Sequence, residues 1–315
     1  MVTLVRQLGR AWHAFLFEPA DARSLAWLRI ALGAYLLFYY VDLFPFVRLH
    51  FFPEGLLPPS TLTDFPKWLL IRHIQYAFLP RLALYGLTLL AALSLLLGYQ
   101  TRVAALLGFV LNQSWLSMPG GRNSGDNVVS VLCFLMLVAA LPGHVQAVCA
   151  LDAPKARRGN VPYAIPAWTR RLFQLQLALI YLSTGFHKCA SPVWYKGEAL
   201  YYVFQQPVWS RVDLSWITHP IPIGLLTYGT LIFEALIFPV LVWPKVTRHA
   251  VLLAGVAFHL GISLTMRVFV FGEIMPLFYL CFVDADVVQA VLVRLRAASS
   301  RLAIRAPRRR SLRKR

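Results

Sequence analysis

The sequence predicts an all-α polytopic membrane protein with about eight transmembrane helices. Hydrophobic residues make up 58% of the 315 residues and charged residues only 14%, whereas soluble domains carry about 25% charged residues. The mean hydropathy is +0.61. Apolar stretches near the length of about 20 residues needed to span the hydrocarbon core recur along the chain. We find no polar stretch long enough to form a soluble domain.

The basic charge of the chain is typical of membrane topology rather than of nucleic-acid binding. The formal net charge is +18, but the Lys and Arg residues lie mostly between apolar segments and in the C-terminal tail. Basic residues in these places orient the helices and contact anionic lipid. We therefore expect the partner to be a lipid bilayer with anionic headgroups, and no nucleic acid.

The cysteines predict neither a disulfide framework nor a metal site. The chain has four cysteines, and they lie far apart without a CxxC pair or zinc-ligand spacing. They are Cys133, Cys149, Cys189 and Cys281.

The chain begins with a cytoplasmic segment, residues 1–23, whose first part, 1–17, has the pattern of an amphipathic helix at the membrane interface. The first span, 24–47, is longer than the apolar region of a signal peptide and lacks a small-residue cleavage site, so we expect it to remain uncleaved. Arg29 and Asp42 lie near the ends of this span, where snorkelling lowers their cost.

Seven further spans complete the predicted transmembrane domain, 24–283. They are 82–98, 103–118, 127–141, 172–186, 222–243, 248–266 and 268–283. Because the third and fourth spans are short, the alternative is six spans and a re-entrant pair. Between the spans lie three longer loops at 50–80, 144–171 and 187–220.

The basic tail, 284–315, sets the predicted orientation. Cytoplasmic segments carry an excess of Lys and Arg, and the tail ends in the run Arg308-Arg-Arg-Ser-Leu-Arg-Lys-Arg315. An even number of spans then places both termini in the cytoplasm, and a re-entrant pair would not change this. We expect a multi-pass protein of the cell inner (plasma) membrane.

Several costly polar side chains fall at a similar depth, in the outer half of the bilayer. They are His187, Lys188, Asp126, Asn127, His259, Glu273 and, near the midplane, Glu234. Ionisable residues inside a membrane mark functional sites by default. Their shared depth predicts one cavity that opens to the outer face.

Each of these residues also has a structural interpretation. Lys188 could snorkel as an interfacial anchor, and His259 could simply donate a hydrogen bond between helices. Glu234 and Glu273 could pair with Arg267 or His259 and lock the packing.

The same holds for residues beside these groups. Asp126 and Asn127 could cap the helix of the fourth span, and Trp194 could belong to an aromatic belt. The functional interpretation of Lys188 is that a lysine held out of water can act as a neutral general base. The small Gly185 would allow a close approach of a neighbouring backbone to this helix.

One motif connects these residues to a known family. Tyr181-Leu-Ser-Thr-Gly185-Phe-His-Lys188, followed by Trp194 and Gly197, looks like Tyr-x-x-x-Gly-x-x-Lys and then Trp-x-x-Gly. Together with Ser24-Leu-Ala-Trp-Leu-Arg29-Ile and Phe258-His259, it resembles the HTTM (horizontally transferred transmembrane) domain, or vitamin K-dependent gamma-carboxylase-like family.

The resemblance implies a helical membrane domain whose site faces the lumen or the periplasm. It implies a reduced quinone, similar to vitamin K hydroquinone, used with oxygen and carbon dioxide, and a secreted peptide or protein as substrate. Lys188 would act as the base, with His259 and Glu234 in support. Residues near the cofactor would be His187, Trp194, Glu273, Asp126 and Asn127. The sequence departs from the family at Gly125-Asp126-Asn127, where the carboxylase has a histidine.

Two other functions remain open at this point. The protein could be a membrane accessory factor for the maturation of a secreted peptide, without chemistry of its own. It could also be a transporter or a lipid-binding protein whose intramembrane charges line a path.

Overall fold

The fold was analysed in a computed structural model that describes residues 2–47, 49, 78–116, 124–140, 164–268, 270–284, 286, 287, 289–291, 293 and 294. The prediction of a mostly helical fold is confirmed, since 82% of these residues are helical. The predicted loop at 50–80, most of the loop at 144–171 and the basic run at the end of the tail lie outside the described residues.

The predicted N-terminal helix is present as α1, Val2–Phe17. Val5, Leu8 and Trp12 are more than 60% exposed on it, as expected of a helix that lies on a membrane surface. Its last turn is fixed to the rest of the protein by Phe15, whose ring lies 4.2 Å from the Arg171 guanidinium.

A short β-ribbon, which the all-α prediction did not include, follows α1. Strand β1, Pro19–Asp21, pairs antiparallel with β2, Ala164–Pro166. Strands of three residues are too short to show the period-2 alternation by which strands are recognised in a sequence. The ribbon joins the segment before the first long helix to the segment before the helix that carries Lys188.

The N-terminal half of the membrane domain is a group of four helices. The helices are α2, Arg23–Leu43, which continues as the 3-10 turn Phe44–Phe46, then α3, Phe78–Leu97, α4, Thr101–Leu116, and α5, Ser124–Ala140. Helices α2 and α3 touch at Gly33, where a Cβ atom would overlap the backbone of Leu96. The absence of a side chain at Gly33 therefore sets the distance between these two helices.

The expectation that Arg29 snorkels to the membrane surface is wrong. The side chain is fully buried, and its Nη1 donates to the carbonyl oxygen of Leu95 at 2.7 Å. The last carbonyls of a helix have no partners within the helix. Arg29 satisfies one near the end of α3, which places a buried charge at a helix C-terminus where the helix dipole stabilises it.

The C-terminal half consists of longer helices and three short ones. They are α6, Ala167–Cys189, α7, Pro192–Tyr195, α8, Ala199–Phe204, α9, Pro220–Ile232, a π-helical turn, Phe233–Ile237, α10, Phe238–Leu241, α11, Lys245–Thr265, α12, Phe271–Phe278, and the 3-10 turn Tyr279–Cys281. The predicted loop at 187–220 thus contains two short helices.

Helix α12 joins the two halves because glycines let it approach both. A Cβ atom on Gly125 of α5 would lie 2.6 Å from the backbone nitrogen of Phe271. A Cβ atom on Gly272 of α12 would overlap the hydroxyl of Ser263 on α11. The beginning of α12 therefore contacts both halves at points where a side chain would not fit.

Among the described residues, three helical stretches are long and apolar enough to cross a membrane: Arg23–Phe46, Pro220–Leu241 and Lys245–Thr265. Shorter apolar helices cover Leu82–Leu97, Ser124–Ala140 and Phe271–Cys281. These helices support a membrane protein. The count of eight spans and the orientation of the termini stay predictions.

Candidate functional site

The site is built around an ion pair between Lys188 and Glu234. The Nζ atom of Lys188 lies 2.6 Å from Oε1 and 2.5 Å from Oε2 of Glu234. The Glu234 side chain is 8% exposed and that of Lys188 is 26% exposed. The ring centroid of Trp194 lies 4.8 Å from the same Nζ. A charged pair is therefore held at the end of α6, with an aromatic ring over the ammonium group.

Gly185 brings the two partners together. It lies one turn before Lys188 on α6, and a Cβ atom there would come within 2.7 Å of the backbone of Ala235. Ala235 directly follows Glu234 in the chain. Because α6 and the π-helical turn touch through bare backbone at this point, the lysine reaches the carboxylate.

The π-helical turn presents Glu234 to this contact. The backbone N–H of Phe238 bonds to the carbonyl of Phe233, five residues earlier. Pro239 has no N–H, and its ring would clash with the carbonyl four residues before it. A wider turn relieves that clash and inserts one residue into the helix, an arrangement that occurs often at functional sites.

A second set of polar side chains lies deeper in the same half of the protein. The hydroxyl of Tyr181 lies 2.7 Å from Nε2 of His259 and also forms a short hydrogen bond with the hydroxyl of Tyr279. Tyr181 and His259 are 2% and 1% exposed. The ring of Tyr181 stacks on Phe238 with 3.9 Å between centroids. Three helical elements thus meet through side chains that can donate or accept protons.

The ion pair and this hydrogen-bonded triad belong to one site. Tyr181 and Lys188 are two turns apart on α6 and therefore share a face. The ring of Phe233, the residue before Glu234, lies 5.8 Å from the ring of Tyr181. We call these five residues the Lys188 cluster: Lys188, Glu234, Tyr181, His259 and Tyr279.

The chemistry open to the Lys188 cluster is proton transfer. An ammonium bonded to a carboxylate differs from an amine bonded to a carboxylic acid only in the position of one proton. Once the proton lies on Glu234, the Lys188 amine has a lone pair for a substrate hydroxyl. Such a pair can serve as a general base as a unit.

The sequence predicted Lys188, Glu234 and His259 as catalytic residues and Trp194 as a neighbour. Lys188 contacts Glu234 and Trp194, and His259 is connected to the same helix through Tyr181. The expectation that Glu234 pairs with Arg267 or His259 is wrong, because its partner is Lys188. The predicted neighbour His187 is exposed, and its Nδ1 bonds to the carbonyl of Ser183 on its own helix at 2.6 Å.

The other three predicted residues lie elsewhere. Glu273 and Asn127 are exposed, whereas Asp126 is 5% exposed and interacts with Tyr39 and Tyr40 of α2. Asp126 lies inside the first turn of α5 rather than before it, so its negative charge interacts favourably with the positive end of the helix dipole. The polar residues therefore form two clusters and not the single group that was predicted.

The second of these, the Asn112 cluster, is a hydrogen-bond network between α2, α3, α4 and α5. Asn112 Nδ2 donates to the carbonyl of Asp126 at 2.8 Å and to the hydroxyl of Ser130 at 2.7 Å. Its Oδ1 accepts from the hydroxyl of Tyr40 at 3.0 Å, and the hydroxyl of Tyr85 donates to the Tyr40 carbonyl at 2.5 Å. The network satisfies neutral polar groups in the core.

Sequence reasoning missed Tyr279 and gave Tyr181 only a place in a motif. A tyrosine buried in an apolar helix needs a partner for its hydroxyl, and that was the available signal. Among the described residues, no group of three or more His, Cys, Asp or Glu side chains is placed to hold a metal ion.

Comparison with known proteins gives one relationship. No curated protein and no solved structure matches the chain. Residues 17–286 match the family model of the HTTM domain, which covers most of the chain. The relationship is to the transmembrane domain of gamma-carboxylase, and it supports a membrane protein. The protein therefore belongs to the HTTM domain family.

Proposed function

We propose that the protein is a quinol-using, carboxylase-like membrane enzyme in which the pair of Lys188 and Glu234 is the base. The observation that carries this proposal is the contact of Lys188 Nζ with both carboxylate oxygens of Glu234, at 2.6 and 2.5 Å. In this role Glu234 holds the proton at its carboxylate, and the Lys188 amine takes the proton of a substrate hydroxyl.

The energetic cost of the pair supports a chemical role. Removing two charges from water costs several kcal/mol per ion, and well-packed apolar residues often hold helices together as well or better. Gly185 already provides a close backbone contact at this point. Packing alone therefore does not call for a carboxylate that is 8% exposed.

The residues present suit a flat, apolar cofactor with an acidic hydroxyl. The aromatic ring of Trp194 covers Lys188, and the rings of Phe233 and Phe258 pack together with 5.4 Å between centroids. A reduced quinone would supply the electrons for a reaction with oxygen, which would drive the addition of carbon dioxide to a secreted peptide. Lys188 would bind and deprotonate the quinol hydroxyl.

The proposal includes eight membrane crossings, cytoplasmic termini and a site that faces the periplasm from the inner membrane. Arg170 and Arg248 support this orientation. Both form ion pairs with Asp284, at 3.6 and 3.2 Å, and Asp284 is the first residue of the predicted cytoplasmic tail. Arg170 is one turn inside the start of α6, whereas Lys188 lies at its end. Basic side chains thus gather at the end opposite Lys188, as the cytoplasmic side of a membrane protein requires.

The test is purification of the full chain from its membrane, mass spectrometry of co-purified lipids, and incorporation of labelled carbon dioxide into membrane-associated peptide. We expect a quinone in the purified sample. Loss of a general base slows a reaction by about 10²- to 10⁴-fold, so Lys188→Met and Glu234→Gln should each reduce incorporation to that extent. The matched control is Lys196→Met, which removes an exposed lysine after α7 and should leave incorporation unchanged. Full incorporation by Lys188→Met would refute the proposal.

A membrane accessory factor is the second candidate, and the exposed aromatic residues after α6 favour it. Val208 and Trp216 are each 73% exposed, and Trp209 is 47% exposed, so this segment has apolar surface to offer a partner. If this function is correct, Lys188→Ala keeps activity. Substitutions of Val208, Trp209 and Trp216 would then abolish binding of the secreted peptide or its processing enzyme.

A further inference from the structure

Helix α1 presents large apolar side chains that the rest of the described residues do not cover. Val5, Leu8 and Trp12 are each more than 60% exposed. Their spacing of three and four residues places them along one face of the helix. Exposed apolar surface of this kind marks a place of contact with a membrane or with another protein. This face of α1 therefore calls for a partner outside the described residues.

The charge of α1 favours an anionic partner. Arg6 and Arg10 are exposed, and no Asp or Glu occurs in Val2–Phe17. At about 100° per residue, the two arginines lie on the side of the helix opposite Leu8 and Trp12. Basic residues on one face with Trp and Leu on the other are typical of helices that bind anionic lipid surfaces.

The position of α1 places it at the level of the lipid headgroups. The ring of Phe15 lies 6.0 Å from that of Trp243. Trp243 lies between two stretches that are long and apolar enough to cross a membrane, Pro220–Leu241 and Lys245–Thr265. The connection between two consecutive spans lies at the membrane surface, where tryptophan is also enriched. The end of α1 is therefore at that surface.

Backbone hydrogen bonds fix the end of α1 in this position. Nε of Arg171 donates to the carbonyl oxygen of Phe15 at 3.3 Å, and the backbone N–H of Ala167 donates to the carbonyl oxygen of Glu18 at 3.1 Å. With one end held there, binding of the rest of α1 to the lipid surface is intramolecular. Weak interactions by individual side chains are then sufficient.

The same charges disfavour two other partners for this face. The tail ends in the basic run 308–315, which the arginines of α1 would repel. A second copy of the chain would bring the same Arg6 and Arg10, again without an acidic residue in the helix. A surface of anionic phospholipids has the complementary charge and an apolar interior for the other face of α1.

We propose that α1 is a lipid anchor that binds anionic phospholipid headgroups. Val5, Leu8 and Trp12 insert at the boundary of headgroups and acyl chains, and Arg6 and Arg10 are attracted by the negative surface charge. The anchor lies at the end of the protein opposite Lys188, and its binding does not depend on the chemistry proposed for that residue.

The experiment measures hydrogen–deuterium exchange of the full chain in two kinds of lipid nanodisc, with one copy of the chain in each disc. One kind contains phosphatidylcholine alone, and the other contains phosphatidylcholine and phosphatidylglycerol in equal amounts. Each Lys or Arg near an anionic surface contributes about 5-fold in binding. We expect the amides of residues 5–14 to exchange about 5- to 30-fold more slowly in the anionic discs. The difference should disappear at about 1 M salt, where the Debye length is about 3 Å.

Substitutions separate the contribution of charge from that of apolar insertion. The double variant Arg6→Gln, Arg10→Gln should exchange equally in the two kinds of disc. Leu8→Gln should exchange about 10-fold faster in both, because it removes a buried apolar side chain. The matched control is Lys196→Gln, Arg267→Gln, which removes the same charge from exposed residues at the opposite end of the protein and should keep the full difference. Unchanged exchange in α6 shows that each variant is folded.

Three results would overturn the proposal. The first is equal exchange of residues 5–14 in the two kinds of disc at low salt. The second is a full difference between the discs in Arg6→Gln, Arg10→Gln, which would place the relevant charge outside α1. The third is slow exchange only in discs that hold two copies of the chain, which would make a second copy the partner of this face.

Discussion

The Lys188 cluster and the Asn112 cluster are two solutions to placing polar groups among membrane helices. In the Asn112 cluster the polar atoms of Asn112, Tyr40 and Ser130 are neutral and are paired with one another or with backbone. The Lys188 cluster instead holds an ion pair that is partly exposed and a histidine nitrogen with no hydrogen-bond partner in the described part of the chain. The first arrangement stabilises packing. The second leaves a charged pair and a hydrogen-bonding nitrogen available, as the proposed function requires.

The largest effect on activity should come from removing the ion pair of Lys188 and Glu234. Lys188→Met alone leaves a nearly buried carboxylate without its partner, so we expect lower stability and a loss of carbon dioxide incorporation of about 10²-fold or more. The double variant Lys188→Met, Glu234→Leu should recover the stability and not the activity. Thermal unfolding and the incorporation assay measure the two. A double variant with recovered activity would show that the pair is structural.

The opposite result is expected in the Asn112 cluster. Asn112→Leu leaves the Tyr40 hydroxyl, the Ser130 hydroxyl and the Asp126 carbonyl without the partner that they have now. Each unsatisfied buried group costs about 1–3 kcal/mol, so the variant should lose about 3 kcal/mol in the free energy of unfolding. Chemical denaturation in detergent measures the loss. Activity per folded molecule should stay within about 2-fold, a factor that corresponds to less than one hydrogen bond.

The contact between α6 and the π-helical turn can be tested by comparing two glycine substitutions within the C-terminal half. Gly185→Ala places a methyl group 2.7 Å from the Ala235 backbone and should cost about 1–3 kcal/mol by overpacking. It should also lower activity by moving Lys188 from Glu234. Gly229→Ala in α9 meets nothing within 4 Å and should stabilise the helix by about 0.5–1 kcal/mol. Equal melting temperatures for the two variants would contradict this packing.

The smallest effect should come from Tyr181→Phe. The substitution keeps the ring on Phe238 and removes only the hydroxyl, which contacts His259 and Tyr279. We expect a loss of about 2 kcal/mol in the free energy of unfolding, since two buried groups each lose a partner at a cost of about 1 kcal/mol or more. Thermal unfolding beside Tyr279→Phe, which leaves the His259 contact intact, measures the difference. A loss in Tyr279→Phe that exceeds the loss in Tyr181→Phe would contradict the central position of Tyr181.

The sequence allowed the class of protein, the helical fold and the residues at the centre of the site to be predicted. Lys188, Glu234 and His259 stand out because ionisable groups are rare in apolar helices. Their partners did not follow, because a partner depends on how helices rotate about their axes. Arg29 shows the limit most clearly, since a position near the end of a span suggested snorkelling and the side chain instead reaches the carbonyl of Leu95.

The ribbon and Tyr279 show two further limits. Strands β1 and β2 are separated by a long stretch of chain, and three residues carry too little pattern to predict such a pairing. Tyr279 lies in an apolar 3-10 turn, where its hydroxyl could equally have pointed to lipid headgroups. Gly255 lies beside it and makes room for it in the core, since a Cβ atom on Gly255 would meet the Tyr279 hydroxyl.

The π-helical turn makes the ion pair depend on the number of residues in a helix as well as on their identity. A π turn is an α-helix with one additional residue, and each residue turns an α-helix by about 100°. Deleting one residue between Phe233 and Ile237 would remove the wider turn and restore the clash at Pro239. It would also rotate one side of the helix relative to the other. The carboxylate would then face away from the lysine although both residues were still present.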